Sequence, residues 1–363
     1  MRVLQLIDSL DAGGAERVAV TYANTLCEYI EASFLCATRK EGLLKQTINQ
    51  KVGYLFLKKK SAIDIKAIVR LVSFIKKNKI DIIHAHTSSF FLATSVKIYL
   101  PKIKIIWHDH YGKSEELDKR DFKILKWCSK KFCAIISVNK ILEAWAKREL
   151  KTDRVYYLEN VVLPPPENSK TPLKLKGIDH KRIVCVANFR EQKDHGTLLG
   201  AFKMVLKKHP EYSLHLVGQH WDDDYFREVS SYMNQEVFRE NVFYYGSQSN
   251  IYSILKQADI GVLSSNSEGL PLALLEYGMS KLGVVCTDVG QCKYLVKDYG
   301  KCVPPKKPEA LAEAINFYID FHQKLEIDSH NFNNHVNKNY SIKINNPNKP
   351  NTPCSDKILV ISL

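Results

Sequence analysis

The chain has 363 residues, enough for two ordinary domains, and 45% of them are apolar and 25% charged, as in soluble globular proteins. No apolar run approaches the roughly 20 residues of a membrane-spanning helix. Residues 1–8 are too short for a signal peptide and predict a first strand. The nine cysteines show no paired metal-binding spacing, which predicts reduced, mostly buried thiols in a cytoplasmic protein.

The positive charge is concentrated in the first half of the chain. The net charge is +14, and residues 1–165 contribute +12 of it, with 29 Lys and Arg against 17 Asp and Glu. Many of these cations are expected on solvated helix faces, but their uneven distribution favours an anionic partner, either a membrane surface or an acceptor substrate. No nucleic-acid recognition motif accompanies the charge, so nucleic acid is not expected as a partner.

Two glycines, Gly13 and Gly14, lie between a predicted strand at residues 3–7 and a helical pattern over residues 15–29. Glycines in this place let the backbone approach a ligand closely, although a plain tight turn accounts for them equally well. The spacing is not that of the dinucleotide-binding fingerprint, so NAD is not expected.

Strands and helices alternate through the rest of this half. Strands are predicted at 33–37, 53–57, 81–86, 103–108 and 134–138, and helices at 63–77, 122–133 and 140–150. Such alternation predicts a parallel sheet with helices on both faces, which binds ligands at the carboxyl ends of its strands.

Two pairs of histidines stand where strands of this sheet are expected to end. His84 and His86 are two residues apart, as are His108 and His110, with Asp109 between the latter two. Zinc needs three or four ligands that converge, and a sequence does not show convergence. Polar side chains that line a ligand cleft are therefore favoured over a metal site, and no metal is expected.

A proline-rich segment at residues 163–169 predicts a stiff extended linker, which places a first domain at residues 1–165. A second α/β domain is expected at residues 166–325, because the alternation of strands and helices resumes after the linker. Residues 326–363 are expected to form a divergent, poorly ordered tail, since the Asn- and Pro-rich run at 342–351 breaks any helix.

The most informative stretch is residues 264–278, which follow a predicted strand at 258–263. Pro271 suits a first helical position, and a helix is predicted over the next eight residues. Loop N–H groups and the positive end of the helix dipole would together form an anion site, flanked by Glu268 and Glu276. One carboxylate could accept ribose hydroxyls and the other could face a second polyol. A capped surface helix with solvated glutamates is the alternative.

This spacing, in this loop, resembles the signature of the family 4 retaining glycosyltransferases, the glycosyl transferases of group 1, over residues 1–341. The resemblance implies the GT-B fold, an α/β architecture of two Rossmann-like domains that face each other across a cleft. It also implies transfer of a sugar from a nucleotide diphosphate-sugar to a hydroxyl acceptor, with retained anomeric configuration and without a metal. The first domain would mainly hold the acceptor, and the second would hold the donor.

The resemblance implies roles for the residues of the informative stretch. Glu276 would bond the ribose of the donor, and Glu268 would face sugar hydroxyls as part of the catalytic set. The backbone from Gly269 through Leu270 and Pro271 would meet the sugar and the phosphates.

Further residues of the first domain enter through the resemblance. Gly13 and Gly14 match the loop that lies under the sugar-diphosphate beside the acceptor. His110 best matches a catalytic histidine that hydrogen-bonds the transferred sugar, and His108 is the nearby competitor.

In the second domain, Lys193 matches a lysine that stabilises the departing diphosphate, with an ordinary solvated lysine as the alternative. Asn188 stands where the family usually has an arginine, and Arg190, two residues later, is a candidate to reach the same phosphates. The nucleotide base would lie near the backbone of Tyr245, Gly246 and Ser247.

The expected function is therefore sugar transfer from a nucleotide diphosphate-sugar to a glycan or lipid-linked glycan acceptor, in cell-surface polysaccharide synthesis. No cofactor is expected, and the protein would be cytoplasmic, with the basic first domain at the inner face of the membrane. Two alternatives remain open: a nucleotide-sugar epimerase of the same architecture, and a non-catalytic protein that binds nucleotide-sugar or membrane.

Overall fold

The computed structural model describes residues 1–112, 114–165 and 173–341. The chain divides into two compact units, Met1–Asn160 and Val161–Ser341. Each unit is built around one parallel sheet with helices packed on it, so the predicted α/β class with parallel sheets is confirmed. The division lies five residues before the domain boundary that the proline-rich segment suggested, and most of that segment, residues 166–169, falls outside the described residues.

The first unit contains seven strands that pair in parallel in the order β3-β2-β1-β4-β5-β6-β7. Its elements are β1 (Arg2–Ser9), α1 (Gly14–Leu26), β2 (Ala32–Lys40), β3 (Gly53–Phe56), α2 (Ile65–Lys77), β4 (Ile82–His86), α3 (Phe90–Tyr99), β5 (Lys104–Asp109), α4 (Lys123–Ser129), β6 (Ala134–Ser137), α5 (Lys140–Glu149) and β7 (Val155–Tyr157). Apolar side chains of β1, β4 and β5 are almost wholly buried, because helices cover both faces of the sheet.

The second unit contains six strands in the order β10-β9-β8-β11-β12-β13, again all parallel. Its elements are β8 (Arg182–Val186), α6 (His195–Lys208), β9 (Ser213–Val217), α7 (Asp224–Met233), β10 (Val242–Tyr244), α8 (Ile251–Leu255), β11 (Ile260–Leu263), α9 (Leu272–Met279), β12 (Gly283–Thr287), α10 (Cys292–Val296), β13 (Lys301–Val303), α11 (Pro308–Asp320) and α12 (His322–Asn339). Strand β11 lies between β8 and β12, so the loop that follows it leaves from the middle of the sheet.

The separate tail expected from residue 326 is corrected by the structure. Helix α12 runs across that position and packs on α9 and β12, so residues 326–341 belong to the second unit. Phe332 and Val336 are fully buried against this unit, which is the apolar contact that holds the helix. The predicted disorder and broken helix at residues 342–363 lie outside the described residues.

Eight cysteines lie in the described part of the chain; all are free and five are buried. Among the described residues, no helix is both long and apolar enough to cross a membrane.

Candidate active site

The loop between β11 and α9 leaves the middle of the second sheet and leads directly into a helix start. Helix α9 begins at Leu272, and Tyr277 anchors it on the sheet by accepting a hydrogen bond from the Val186 N–H at 2.8 Å and donating to the Val262 carbonyl at 3.2 Å. The start of α9 is therefore fixed relative to the ends of β8 and β11. Backbone N–H groups at a helix start attract anions, so the start of α9 is a candidate phosphate site.

Lys193 and Glu268 meet at this loop. Lys193 Nζ lies 2.5 Å from Glu268 Oε1, and the Ser265 hydroxyl donates to the same oxygen at 2.6 Å. The Glu268 side chain is 7% exposed and that of Lys193 is 19% exposed, so the pair is largely shielded from water. The sequence predicted both residues for the site, and the structure brings them into direct contact.

A second loop, between β8 and α6, is tied to the first by hydrogen bonds. The Asn266 N–H donates to the Gln192 carbonyl at 2.7 Å, and the Ser264 hydroxyl lies 3.0 Å from the carbonyl oxygens of both Lys193 and Asp194. Asp194 in turn caps α6 by accepting from the Thr197 N–H. Lys193 is therefore held by its own backbone in a position facing Glu268.

The other flank of the loop rests on the segment after β12. The Thr287 hydroxyl donates to the Ser265 carbonyl at 2.6 Å, and the Gln291 N–H donates to the Gly269 carbonyl at 3.0 Å. Gly290 has a φ of 53°, and a Cβ built there would lie 2.1 Å from the Glu268 carbonyl oxygen. Only glycine allows this close approach, which the sequence did not reveal.

Pro271 does not occupy the first helical position that the sequence predicted. It is the N-cap residue of α9, with a ψ of 122° in the extended region, and the helix begins one residue later. Glu276 lies in the second turn of α9 and is buried at 6% exposure, as is Leu270 in the loop at 3%. A solvated glutamate on a surface helix, the alternative reading of this segment, does not agree with that burial.

Asn188 and Arg190 have different neighbours in the structure. The Asn188 side-chain carbonyl accepts from the Gln219 N–H at 2.8 Å, which ties the end of β8 to the segment after β9. Arg190 is exposed, and its guanidinium lies 4.3 Å from the centroid of the Trp221 ring, a cation–π contact. Asn188 thus has a local structural contact, and Arg190 is held beside an aromatic residue that the sequence analysis did not single out.

The segment from Tyr245 to Ser247 follows β10 in the second unit. The Tyr245 hydroxyl accepts from the Lys176 N–H and contacts His215 Nδ1, both at 3.1 Å. Gly246 has a φ of 65°, and a Cβ there would meet no atom within 4 Å. The Ser247 Oγ is buried without a hydrogen-bond partner among the described residues. A hydroxyl in this state can accept or donate to a ligand.

In the first unit, Gly13 and Gly14 form the start of α1. Gly13 is the N-cap residue and its N–H donates to the Asp11 carbonyl at 2.8 Å, while Gly14 is the first helical residue. The Glu16 side chain lies over Gly13, where a Cβ would be 2.2 Å from Glu16 Oε2. Gly13 therefore allows a close approach of the Glu16 side chain at the start of α1. Ligand binding by the two glycines remains a prediction.

His110 lies in a cluster of four histidines. His86 Nδ1 is 3.0 Å from His110 Nε2, and the His108 and His110 ring centroids are 4.0 Å apart. His84 stacks on His108 with centroids 5.2 Å apart. Burial lowers the pKa of His84 and His110 to about 3, and it lowers those of His86 and His108 as well, so these imidazoles are neutral at physiological pH.

Asp109 lies between two of these histidines and forms a buried ion pair. Arg120 donates to both of its carboxylate oxygens, at 2.7 and 2.9 Å, and the side chains are 9% and 2% exposed for Arg120 and Asp109. The guanidinium lies 4.4 Å from the Tyr111 ring centroid and 4.3 Å from that of Trp145. This pair fixes the segment that carries His110, and nothing in the spacing of the sequence signalled it.

Two family models match the chain. Residues 12–162 match the model of glycosyltransferase family 4, and residues 173–333 match that of glycosyl transferases group 1. The matched regions fall one in each structural unit and together contain most of the chain.

Two Escherichia coli glycosyltransferases and one solved structure are similar to this chain. A UDP-Gal:alpha-D-GlcNAc-diphosphoundecaprenol alpha-1,3-galactosyltransferase of Escherichia coli is 25% identical over 254 residues, 65% of each chain. The O-antigen biosynthesis glycosyltransferase WbnH of Escherichia coli is 23% identical over 301 residues, 82% of this chain and 84% of the relative. The crystal structure of Anabaena HepE in complex with UDP-glucose superposes with a TM-score of 0.76 at 15% identity, over 100% of this chain and 98% of HepE. The expected GT-B fold is thereby confirmed.

Proposed function

Because the chain belongs to the family 4 glycosyltransferases, we propose that it transfers a sugar from a nucleotide diphosphate-sugar to a hydroxyl acceptor, with retained anomeric configuration, in polysaccharide or lipid-linked glycan synthesis. The observation that carries the proposal is the contact of Lys193 with Glu268 beside the start of α9. A cation, a helix start and a buried carboxylate are the groups that a sugar-diphosphate requires.

The second unit would bind the donor. The diphosphate would lie at the start of α9, where backbone N–H groups and the helix dipole favour negative charge. Glu276 would accept the ribose hydroxyls, and the nucleotide base would lie near Tyr245, Gly246 and Ser247, where the Ser247 hydroxyl lacks a partner among the described residues. The sugar would replace Lys193 as the hydrogen-bonding partner of Glu268, which frees the lysine for the phosphates.

The transfer step would depend on charge stabilisation at the leaving group. Negative charge grows on the diphosphate as the glycosidic bond breaks, and Lys193 with the α9 start would stabilise it in a shielded site. Arg190 would supply a second cation once its guanidinium leaves the Trp221 ring.

The acceptor oxygen would attack from the face that the diphosphate leaves, and a donor phosphate oxygen would take the acceptor proton. His110 would hydrogen-bond the transferred sugar, and the diphosphate needs no metal in this scheme.

The first unit would mainly hold the acceptor, with the loop of Gly13 and Gly14 under the sugar-diphosphate of the donor and beside the acceptor, and it would bring the protein to the cytoplasmic face of a membrane. Helix α3 packs between α2 and α4, and these three helices contain no Asp or Glu. Seven large apolar side chains on or beside them are more than half exposed: Ile63, Ile65, Val69, Ile98, Tyr99, Ile124 and Trp127. We call these seven residues and the lysines around them the α2–α3–α4 surface. An anionic bilayer fits it, since apolar side chains enter the interface while lysines meet the headgroups.

A thermal-shift screen of the full chain with UDP, GDP, ADP and their common sugars, with and without magnesium, tests the donor proposal. The nucleotide-sugar that binds should raise the melting temperature without magnesium. UDP-sugars come first, because the galactosyltransferase relative is named for UDP-Gal. Glu276→Ala should reduce the shift, whereas Glu313→Ala, at an exposed glutamate of α11, should not.

The same panel separates the alternatives. A shift that requires magnesium would contradict the metal-free scheme, and silence across the panel would reject the donor proposal. Conversion of the donor into an isomeric nucleotide-sugar without an acceptor would identify an epimerase. A donor that binds but is neither transferred nor hydrolysed would identify a non-catalytic binding protein. NMR of the product linkage tests retention.

A further inference from the structure

Three histidines of the first unit stand side by side on one face of its sheet. His84 and His86 are two residues apart on β4, so their side chains point to the same face. Strand β5 runs parallel to β4 with His86 directly opposite His108, which places the third imidazole next to the first two. Gln5 of β1 is opposite His84, and the Tyr22 ring of α1 lies edge-on over His84 and His108.

Two of these three histidines, His84 and His108, differ from His86 in their hydrogen bonding. His84 and His108 are wholly buried, at 0% and 1% exposure. All four of their ring nitrogens lack a hydrogen-bond partner among the described residues. Buried polar groups normally have partners, and a neutral imidazole nitrogen is also a good metal ligand. Four buried ring nitrogens without partners in one place indicate that a ligand binds there.

The geometry of the three rings agrees with ligation. One ring nitrogen from each of His84, His86 and His108 lies within 4.8 Å of the others. Ligand nitrogens around a tetrahedral zinc are about 3.3 Å apart, given bonds of roughly 2.0–2.1 Å, so ring rotations that move each nitrogen by about an ångström suffice.

His86 is already oriented as a metal ligand would be. Its Nε2 lies 2.8 Å from the Gln5 side-chain carbonyl, so Nε2–H donates there and Nδ1 is the nitrogen whose electron pair can accept a proton or a metal. An outer hydrogen bond of this kind fixes the tautomer of metal-bound histidines. In the structure described, His86 Nδ1 lies 3.0 Å from His110 Nε2, and the ion would replace that hydrogen bond.

We propose that His84, His86 and His108 form a binding site for a divalent transition-metal ion, with zinc as the expected occupant. The ligands are all imidazole, which suits zinc, nickel and copper, whereas magnesium and calcium require oxygen ligands. The ion would join the ends of β4 and β5 through their side chains, so it would act as a structural centre in the first unit. The proposal is independent of sugar transfer, in which the diphosphate relies on Lys193 and the start of α9.

The test uses the full chain without a polyhistidine tag, stripped with EDTA and then titrated with zinc by calorimetry. One zinc per chain should bind and stay bound through desalting, as measured by elemental analysis, and the melting temperature should rise. The double variant His84→Asn with His108→Asn should lose this binding. The matched control, His180→Asn with His322→Asn, removes two exposed imidazoles and should keep it.

Cobalt supplies a second measurement that needs no variant. Cobalt bound by three or more imidazoles in a tetrahedral site should give intense visible absorption bands, displaced by one equivalent of zinc. Featureless spectra, zinc retained at less than about a tenth of an ion per chain, or binding equal in the two double variants would each overturn the proposal. Buried water would then account for the unpartnered nitrogens.

Discussion

Lys193 and Lys208, near opposite ends of α6, form ion pairs of equal length and different burial. Each Nζ lies 2.5 Å from a carboxylate oxygen, of Glu268 and Asp320 respectively. The side chains of the first pair are 19% and 7% exposed, and those of the second 55% and 32%. Water screens the second pair much more than the first. Removal of Lys193 should therefore lower the free energy of unfolding more than removal of Lys208.

We expect Lys193→Met to lower the free energy of unfolding by about 3 kcal/mol, because among the described residues it leaves the buried Glu268 carboxylate with the Ser265 hydroxyl as its hydrogen-bond donor and without a cation. If Lys193 stabilises the departing diphosphate, kcat should also fall by about 100-fold or more. Lys208→Met is the matched control and should cost less than about 1 kcal/mol with kcat unchanged. Urea unfolding and steady-state kinetics measure both, and equal behaviour of the two variants would contradict the assignment.

At this scale the sequence identified the partners but not their contacts. Lys193 and Glu268 were found through the family pattern, yet their pairing depends on two loops that are tied by Ser264, Asn266 and Gln192. The close approach of Gly290 to Glu268 joins positions that are distant along the chain, and no local pattern encodes it. Asn188 could not be understood from sequence either, because its hydrogen bond to Gln219 depends on the pairing of β8 with β9.

At the scale of elements, the end of β5 and the segment after it are held by one buried ion pair. Arg120→Met should leave the Asp109 carboxylate unpaired in the protein interior and remove the cation–π contacts with Tyr111 and Trp145. We expect a loss of about 3–5 kcal/mol in the free energy of unfolding, measured in urea.

Lys119→Met is the control for that variant, because the neighbouring lysine is 79% exposed and its ion pair with Glu116 should contribute little. A loss for Arg120→Met no larger than for Lys119→Met would show that the pair does not stabilise this segment.

Strand β9 carries a histidine that should make stability depend on pH. Burial, and then the nearby Arg182 charge, lower the pKa of His215 to about 4, and its neutral ring contacts Ser213, Tyr245 and Phe243. The unfolded pKa is about 6.5, so between pH 6.5 and 4 the unfolded state binds more protons and stability falls as the pH falls. Above pH 6.5 this contribution is fully present.

We expect His215→Gln to remove that dependence. Relative to the value at pH 8, the wild-type chain should lose about 2 kcal/mol more than the variant by pH 5. Urea unfolding of both proteins at pH 8, 7, 6 and 5 gives the difference directly. Parallel curves would mean that His215 titrates normally in the folded protein.

Much of the element scale was available from the sequence, and the exceptions have physical causes. Helix α9 was predicted with its observed end at Met279 and a start one residue too early, at Pro271, because a proline precedes an apolar run and a strand precedes the loop. Helix α12 was missed as part of the second unit, since its sequence is rich in Asn and His and only a few apolar residues such as Phe332 and Val336 hold it. The histidine cluster required the register of β4 with β5, which a sequence does not contain.

For the whole molecule, the structure shows where part of the positive charge of the first half lies. The first half carries most of the +14 net charge, and the α2–α3–α4 surface combines cations with exposed apolar side chains while its helices contain no acids. A cavity of about 700 Å³ at the ends of α2 and α3 is lined by four lysines and one acidic residue, Asp81, among mostly apolar residues; the lysines are Lys76, Lys79, Lys102 and Lys104. Each lysine near an anionic bilayer contributes about 1 kcal/mol, and inserted apolar side chains add to it.

We therefore expect the full chain to co-sediment with vesicles that contain anionic lipid, less so as salt rises, and only weakly with neutral vesicles. A triple variant of the α2–α3–α4 surface should bind at least about 10-fold more weakly, because each apolar side chain that no longer inserts costs about 1 kcal/mol or more. The changes are Ile65→Ser, Ile98→Ser and Trp127→Ser.

The matched control makes the same kind of change at exposed apolar positions of the second unit: Val237→Ser, Tyr294→Ser and Phe321→Ser. It should bind anionic vesicles like the unmodified chain, because its three changed side chains lie outside the α2–α3–α4 surface. Equal weakening in both triple variants would indicate non-specific adhesion. Strong binding to neutral vesicles, or binding that is insensitive to salt, would show that the lysines do not contribute to membrane binding.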